Sequence, residues 1–93
     1  MRLTFITRRD CHLCEDMAVV IEAAARDWGF ELNVQDVDTD PDLCARYGME
    51  VPVLLVNGRK AFKYRVSREA LERRLRAEGR RARWRGLLGR PAT

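Results

Sequence analysis

The amino-acid sequence predicts an α/β domain: a four-stranded mixed sheet, built in the order β-α-β-α-β-β-α and flanked by three helices. Three patterns carry the prediction. A short β-branched and aromatic run gives way to apolar residues at intervals of three and four, which is a strand followed by a helix. Another strand and short helix come next, and a helical crossover sets the first two strands parallel. A continuous apolar run then ends in Asn57-Gly58, a tight-turn signal that sets the last two strands antiparallel.

Taken in order, Arg2 to Thr7 (RLTFIT) has strand composition and runs into the charged turn Arg8-Arg9-Asp10. From Cys14 onward Met17, Val20, Ile21, Ala24, Ala25 and Trp28 mark the buried stripe of a helix that stops at Gly29. Glu31 to Val37 (ELNVQDV) reads as the second strand. Asp40 caps a short helix with Pro41 at its first position and Gly48 just past its end, and Leu43 and Tyr47 point inward. Val51 to Val56 (VPVLLV) is apolar throughout, as expected of a strand buried on both faces, and a type I′ turn leads to Lys60–Tyr64. The last helix takes Ser67 as N-cap and Glu69 in its first turn, with a hydrophobic staple between Val66 and Leu71 and with Leu71 and Leu75 buried.

Composition bounds the function. A chain of 93 residues suits one domain, and 46% hydrophobic with 34% charged residues can bury a modest core beneath a solvated surface. No apolar run approaches the roughly 20 residues of a membrane span, and the N-terminus lacks a secretory stretch, so a soluble cytoplasmic protein is expected. The net charge of +4 is unevenly placed: Met1 to Glu78 carries 13 basic and 14 acidic residues, a balance of −1. The excess lies in GRRARWRGLLGRPAT, with five arginines and no acid. A boundary is therefore drawn near Gly79, with a folded domain over 1–78 and a basic C-terminal tail over 79–93. The tail holds one aromatic and the rest of the chain is not basic, so it reads as a solvated helix extension. Nucleic acid is not an expected partner, and a monomer is expected.

Chemistry gathers at the first turn. Cys11 and Cys14 form a C-x-x-C pair where the first strand meets the first helix, and helix-terminal N–H groups stabilise an anion there. The anion is the Cys11 thiolate, the attacking form of the thiol. Arg8 and Arg9 support it, whereas Glu15 and Asp16 oppose it. Cys14, one helical turn along, is within reach of a disulfide and suits a resolving thiol. Zinc is the competing reading, since Cys11, His12, Cys14 and Cys44 could nominally supply four ligands, but no second closely spaced pair exists and no metal site is assigned. His12, the only histidine, reads as a solvent-exposed modulator of the thiolate. Cys44 is expected to be a small buried hydrophobe.

These residues together resemble the thioredoxin superfamily, and within it the glutaredoxins and small bacterial glutaredoxin-like proteins. Arg2 to about Glu78 is covered. The features that carry the resemblance are Cys11-His12-Leu13-Cys14 after the first strand, Val51-Pro52 opening the third, and Asn57-Gly58 in the hairpin. The resemblance implies a thioredoxin-like fold, a cis Pro52 facing the redox pair, and a Val51 backbone that pairs with an extended substrate or with glutathione. It implies catalysis by Cys11 and Cys14, and substrate or glutathione binding by Arg8, Arg9, His12, Val51, Pro52 and Ser67. The implied enzyme is a glutaredoxin-like disulfide reductase acting on protein or glutathione mixed disulfides. No cofactor is bound, and electrons come from glutathione or a flavoprotein reductase such as thioredoxin reductase. Two departures stand out: glutaredoxins carry Pro-Tyr between the cysteines, where this chain has His12-Leu13, and a glycine-containing turn where it has Tyr64-Arg65-Val66-Ser67. The alternative class is a redox-inactive binding module that uses the cis-proline groove or the basic tail.

Overall fold

The structure, a computed structural model, describes the backbone of residues 1–88 and the side chains through Arg80. Its elements are β1 (Arg2–Thr7), α1 (His12–Asp27), β2 (Glu31–Asp36), a 3-10 turn (Val37–Thr39), α2 (Pro41–Tyr47), β3 (Val53–Val56), β4 (Arg59–Lys63) and α3 (Arg68–Leu88). The strands lie in the order β2-β1-β3-β4. β1 is parallel to β2 and antiparallel to β3, and β3 is antiparallel to β4, as crossover and turn lengths dictate. This is the predicted α/β architecture with three flanking helices.

Register decides which side chains share a face. Leu3 opposite Val56 and Phe5 opposite Leu54 put four apolar residues on one face, where Met17, Ile21 and Ala24 of α1 and Leu71 and Leu75 of α3 cover them. The other face presents Ile6 opposite Val53, covered by Val37 together with Leu43 and Tyr47 of α2. Each fully buried leucine or isoleucine contributes about 1.5–3 kcal/mol by leaving water. β3 is central, with Val53, Leu54 and Val56 wholly inaccessible, which is why its sequence is apolar rather than alternating.

Several boundaries differ from expectation. β3 begins at Val53 rather than Val51, because Pro52 has no N–H to give to a ladder. Its peptide bond to Val51 is cis. Val37 leaves β2 and is buried in the 3-10 turn instead. α1 starts at His12, two residues earlier than its apolar stripe. Cys44 is exposed, not buried, because α2 turns only Leu43 and Tyr47, four apart, toward the sheet. α3, by contrast, runs without a break through Gly79 to Leu88, as a helix extension over the basic segment does. One glycine costs a helix only about 1 kcal/mol, and alanine, glutamate and arginine neighbours favour continuation. The basic segment thus begins as helix, and the rest of the tail, 89–93, lies outside the described residues.

Candidate redox site

Asp10 carries φ 55°, a left-handed conformation that aspartate tolerates, and it turns the chain from β1 into α1. Cys11 then occupies the N-cap of α1, a place usually held by an oxygen-bearing side chain. Its Sγ does the capping: the Cys14 N–H donates to it at 3.2 Å. The Cys11 carbonyl accepts the first helical hydrogen bond from Glu15 at 3.1 Å. A sulfur held in this position lies at the positive end of the helix dipole, one hydrogen bond from a backbone donor.

The two thiols are unequal. Cys11 is half-exposed and Cys14 buried, and both are free thiols. Burial pushes the Cys14 thiol up from the ordinary cysteine value, and its hydrogen bond with Cys11 adds to this. Hydrogen bonds from Thr7 and the Arg8 backbone pull it partway back. Accessible and buried sulfurs one turn apart form the geometry that an attacking and a resolving thiol require.

Pro52 is buried and Val51 half-buried. The Pro52 carbonyl accepts from the Tyr64 N–H at 2.8 Å, whereas the Val51 backbone makes no hydrogen bond among the described residues. Tyr64 sits at φ 69°, and the Arg65 N–H reaches the Lys63 carbonyl at 2.8 Å across it, which is a γ-turn. Such a conformation in a bulky residue costs on the order of 1–3 kcal/mol and persists because its surroundings pin it. Here the pins are the Pro52 carbonyl and the Met49 carbonyl, which accepts from the Tyr64 hydroxyl at 3.3 Å. Between this turn and α1 lies a cleft of about 290 Å³, floored by Met17, Val20 and Val66 and edged by Asp16, Arg65 and Ser67. A larger hollow, between Arg2, Glu31 and Gly58, lies at the opposite pole and contains no thiol.

The other expected binding residues are distributed unevenly. Arg8 points its guanidinium at Asp38, with Nε and Nη2 donating to the carboxylate at 2.9 and 3.1 Å, and donates through Nη1 to the Gly48 carbonyl at 2.9 Å. The charge-assisted bonds lower the Asp38 carboxyl below its usual range. Arg8 therefore ties the cysteine turn to the loop leading into Pro52. Arg9 is exposed, with Asp36 at 4.0 Å, and His12 is exposed beside Asp16 at 3.6 Å. Ser67 caps α3, its Oγ accepting from the Ala70 N–H at 3.0 Å. Sequence reasoning missed Asp38, Gly48 and Tyr64: nothing local in the sequence marks the first two as partners of Arg8, and a tyrosine at positive φ carries no sequence signal. Among the described residues no cluster of three or more His, Cys, Asp or Glu is placed to hold a metal.

Comparison with known proteins is consistent with this geometry. Residues 2–76 match the family model described as "Glutaredoxin-like domain (DUF836)". Uncharacterized proteins of Mycobacterium bovis and Mycobacterium tuberculosis are 30% identical over 82 residues, which is 83% of this chain and 80% of theirs. The solved structure of a structural-genomics target from X. campestris superposes with a TM-score of 0.67 at 34% identity, covering 81% of this chain and 96% of that one. Thioredoxin 1 of Thermosipho africanus superposes with a TM-score of 0.58 at 19% identity, covering 85% and 99%, a likeness of fold alone. Joined to the paired thiols at the start of α1, these matches make the chain a member of the glutaredoxin-like domain family with a thioredoxin fold.

Proposed function

We propose that the chain is a thiol–disulfide oxidoreductase that reduces disulfide-containing proteins or glutathione mixed disulfides through Cys11 and Cys14. The observation that carries this reading is the asymmetry of the pair: Cys11 half-exposed and capped by a backbone N–H, Cys14 buried behind it. The Cys11 thiolate attacks one sulfur of a substrate disulfide, forming a mixed disulfide and expelling the other sulfur as a thiolate that takes up a proton. Cys14 then gives up its proton and attacks the Cys11 sulfur, which closes the Cys11–Cys14 disulfide and releases the reduced substrate. Two electrons from a dithiol reductase or from two glutathione molecules restore the pair. A reducing compartment, the cytoplasm, suits a pair that must return to the dithiol after each turnover.

The unpaired Val51 backbone supports an extended substrate segment laid beside Pro52 as a short added strand. The cleft beyond α1 supports a side chain of that segment. Two of the expected glutathione contacts are already engaged, Arg8 with Asp38 and Gly48 and Ser67 with the helix it caps. This favours a protein disulfide driven by a flavoprotein reductase over a glutathione adduct. The test is NADPH-coupled turnover with two donors, thioredoxin reductase on a protein disulfide and glutathione with its reductase on a small mixed disulfide. Wild type should turn over, faster with the first pair, and Cys11→Ser should be at background. Equal rates for wild type and Cys11→Ser, or no turnover with either donor, would leave a binding module as the reading.

A further inference from the structure

The outer face of α3 carries a feature that the thiol chemistry does not use. Arg73, Arg76 and Arg80 are all exposed, and their spacing of three and four sets them in one stripe on the side away from the buried Leu71 and Leu75. At about 1.5 Å of rise per residue, the successive Cα positions lie roughly 4.5 and 6 Å apart along the axis. None of the three forms an ion pair among the described residues. The acids that would neutralise them are engaged elsewhere: Glu72 with Arg68, and Glu78 with Arg74 and Asn57. Glu69 occupies the first turn, where it complements the helix dipole. No acid follows Glu78 in the sequence, and four more arginines do, at 81, 83, 85 and 90.

We propose that this stripe is a contact surface for the sugar-phosphate backbone of nucleic acid. Three considerations choose that partner. From residue 73 to the end every cation is arginine and none is lysine, and the planar guanidinium grips phosphate through paired hydrogen bonds. A comb of separate, unpaired charges matches a polymer of regularly spaced charges better than it matches one small anion. A membrane-lying helix needs an apolar face to embed, and Leu71 and Leu75, the buried apolar residues of α3 among those described, are packed against the sheet. The continuity of α3 through Gly79 is what makes the stripe, because a break there would have left Arg80 off it. Glu78 meets Asn57 of the hairpin, so the stripe runs toward the pole opposite Cys11 and leaves the thiols open while nucleic acid is bound.

The test is fluorescence anisotropy of the full chain with a labelled 20-base-pair DNA and a labelled 20-nucleotide RNA, at 50 to 200 mM salt. Wild type should bind one or both, with the arm that binds identifying the source, and affinity should fall steeply with salt. Arg73→Ala/Arg76→Ala/Arg80→Ala should bind at least tenfold more weakly and flatten the log–log salt slope for duplex DNA by about 2.7, at about 0.9 for each phosphate that is no longer neutralised. Arg46→Ala removes one exposed charge from α2 on the other face of the sheet and should leave the slope unchanged, whereas Arg76→Ala alone should flatten it by about 0.9. Circular dichroism confirms that each variant is folded. Wild-type slope and affinity in the triple variant, equal effects of Arg46→Ala and Arg76→Ala, or binding to phosphatidylserine vesicles with none to either nucleic acid would overturn the proposal.

Discussion

Cys14 is the residue whose environment makes the sharpest statement. Its thiol is raised by burial, so folding favours the neutral form, and the corresponding stability is fully present below the ordinary cysteine value. It is lost as pH rises through the raised folded value. Chemical denaturation of wild type and Cys14→Ala at pH 7 and pH 9.5 should therefore show wild type losing ground to the variant on the alkaline side, beginning near about pH 8.5. An unchanged difference would mean that the burial seen here does not weigh on the thiolate. Chemically, Cys14→Ser should leave attack by Cys11 intact and remove resolution, so that the variant accumulates a stable mixed disulfide with its substrate, visible as an added mass under non-reducing conditions. Arg8 illustrates a different lesson. Its fork to Asp38 and its bond to the Gly48 carbonyl give a residue read from sequence as a ligand contact a structural role in the site.

At the scale of elements, the site is assembled from three helix starts and turns, each with its own chemistry. α1 is capped by a sulfur, α2 by Asp40, whose carboxylate accepts from the Asp42 N–H at 2.8 Å, and α3 by Ser67. Gly48, at the end of α2, has an ordinary helical φ of −55°, so its need for glycine is spatial: a Cβ there would stand 2.5 Å from the Cys44 carbonyl oxygen. Gly48→Ala must displace that backbone, and with it the carbonyl that Arg8 holds, at a cost of about 1–3 kcal/mol measurable by urea titration. Reductase activity should fall as well, because the same segment leads into Pro52. The hairpin needs glycine for the other reason. Asn57 and Gly58 lie at φ 50° and 83°, the pair of left-handed residues that a type I′ turn demands, and open space surrounds Gly58. Gly58→Ala should cost about 1–2 kcal/mol through backbone strain alone.

For the molecule as a whole, among the described residues both core clusters close before Gly79 and no helix is long and apolar enough to cross a membrane. A chain ended after Arg80 should keep wild-type thermal stability and the proposed reductase turnover, because Leu71 and Leu75, the buried leucines of α3 among the described residues, precede that point; a large loss of either would show that the remaining segment supports the fold. Whatever depends on near neighbours could be read from the order of the residues. Apolar periodicity placed α1 and the burial of Leu71 and Leu75, Asp40 and Ser67 announced their helices, Asn57-Gly58 set the hairpin, and C-x-x-C stood at a strand-to-helix junction. Whatever depends on residues far apart in the chain waited on the packed fold. Arg8 meets Asp38 thirty positions on and Gly48 forty positions on, Tyr64 is held in strain by Pro52 and Met49, and Cys44 is exposed by the way α2 lies on the sheet. Periodicity and capping are written within a few residues, whereas the choice among several possible partners for a long charged side chain is made only when the sheet order brings one of them within reach.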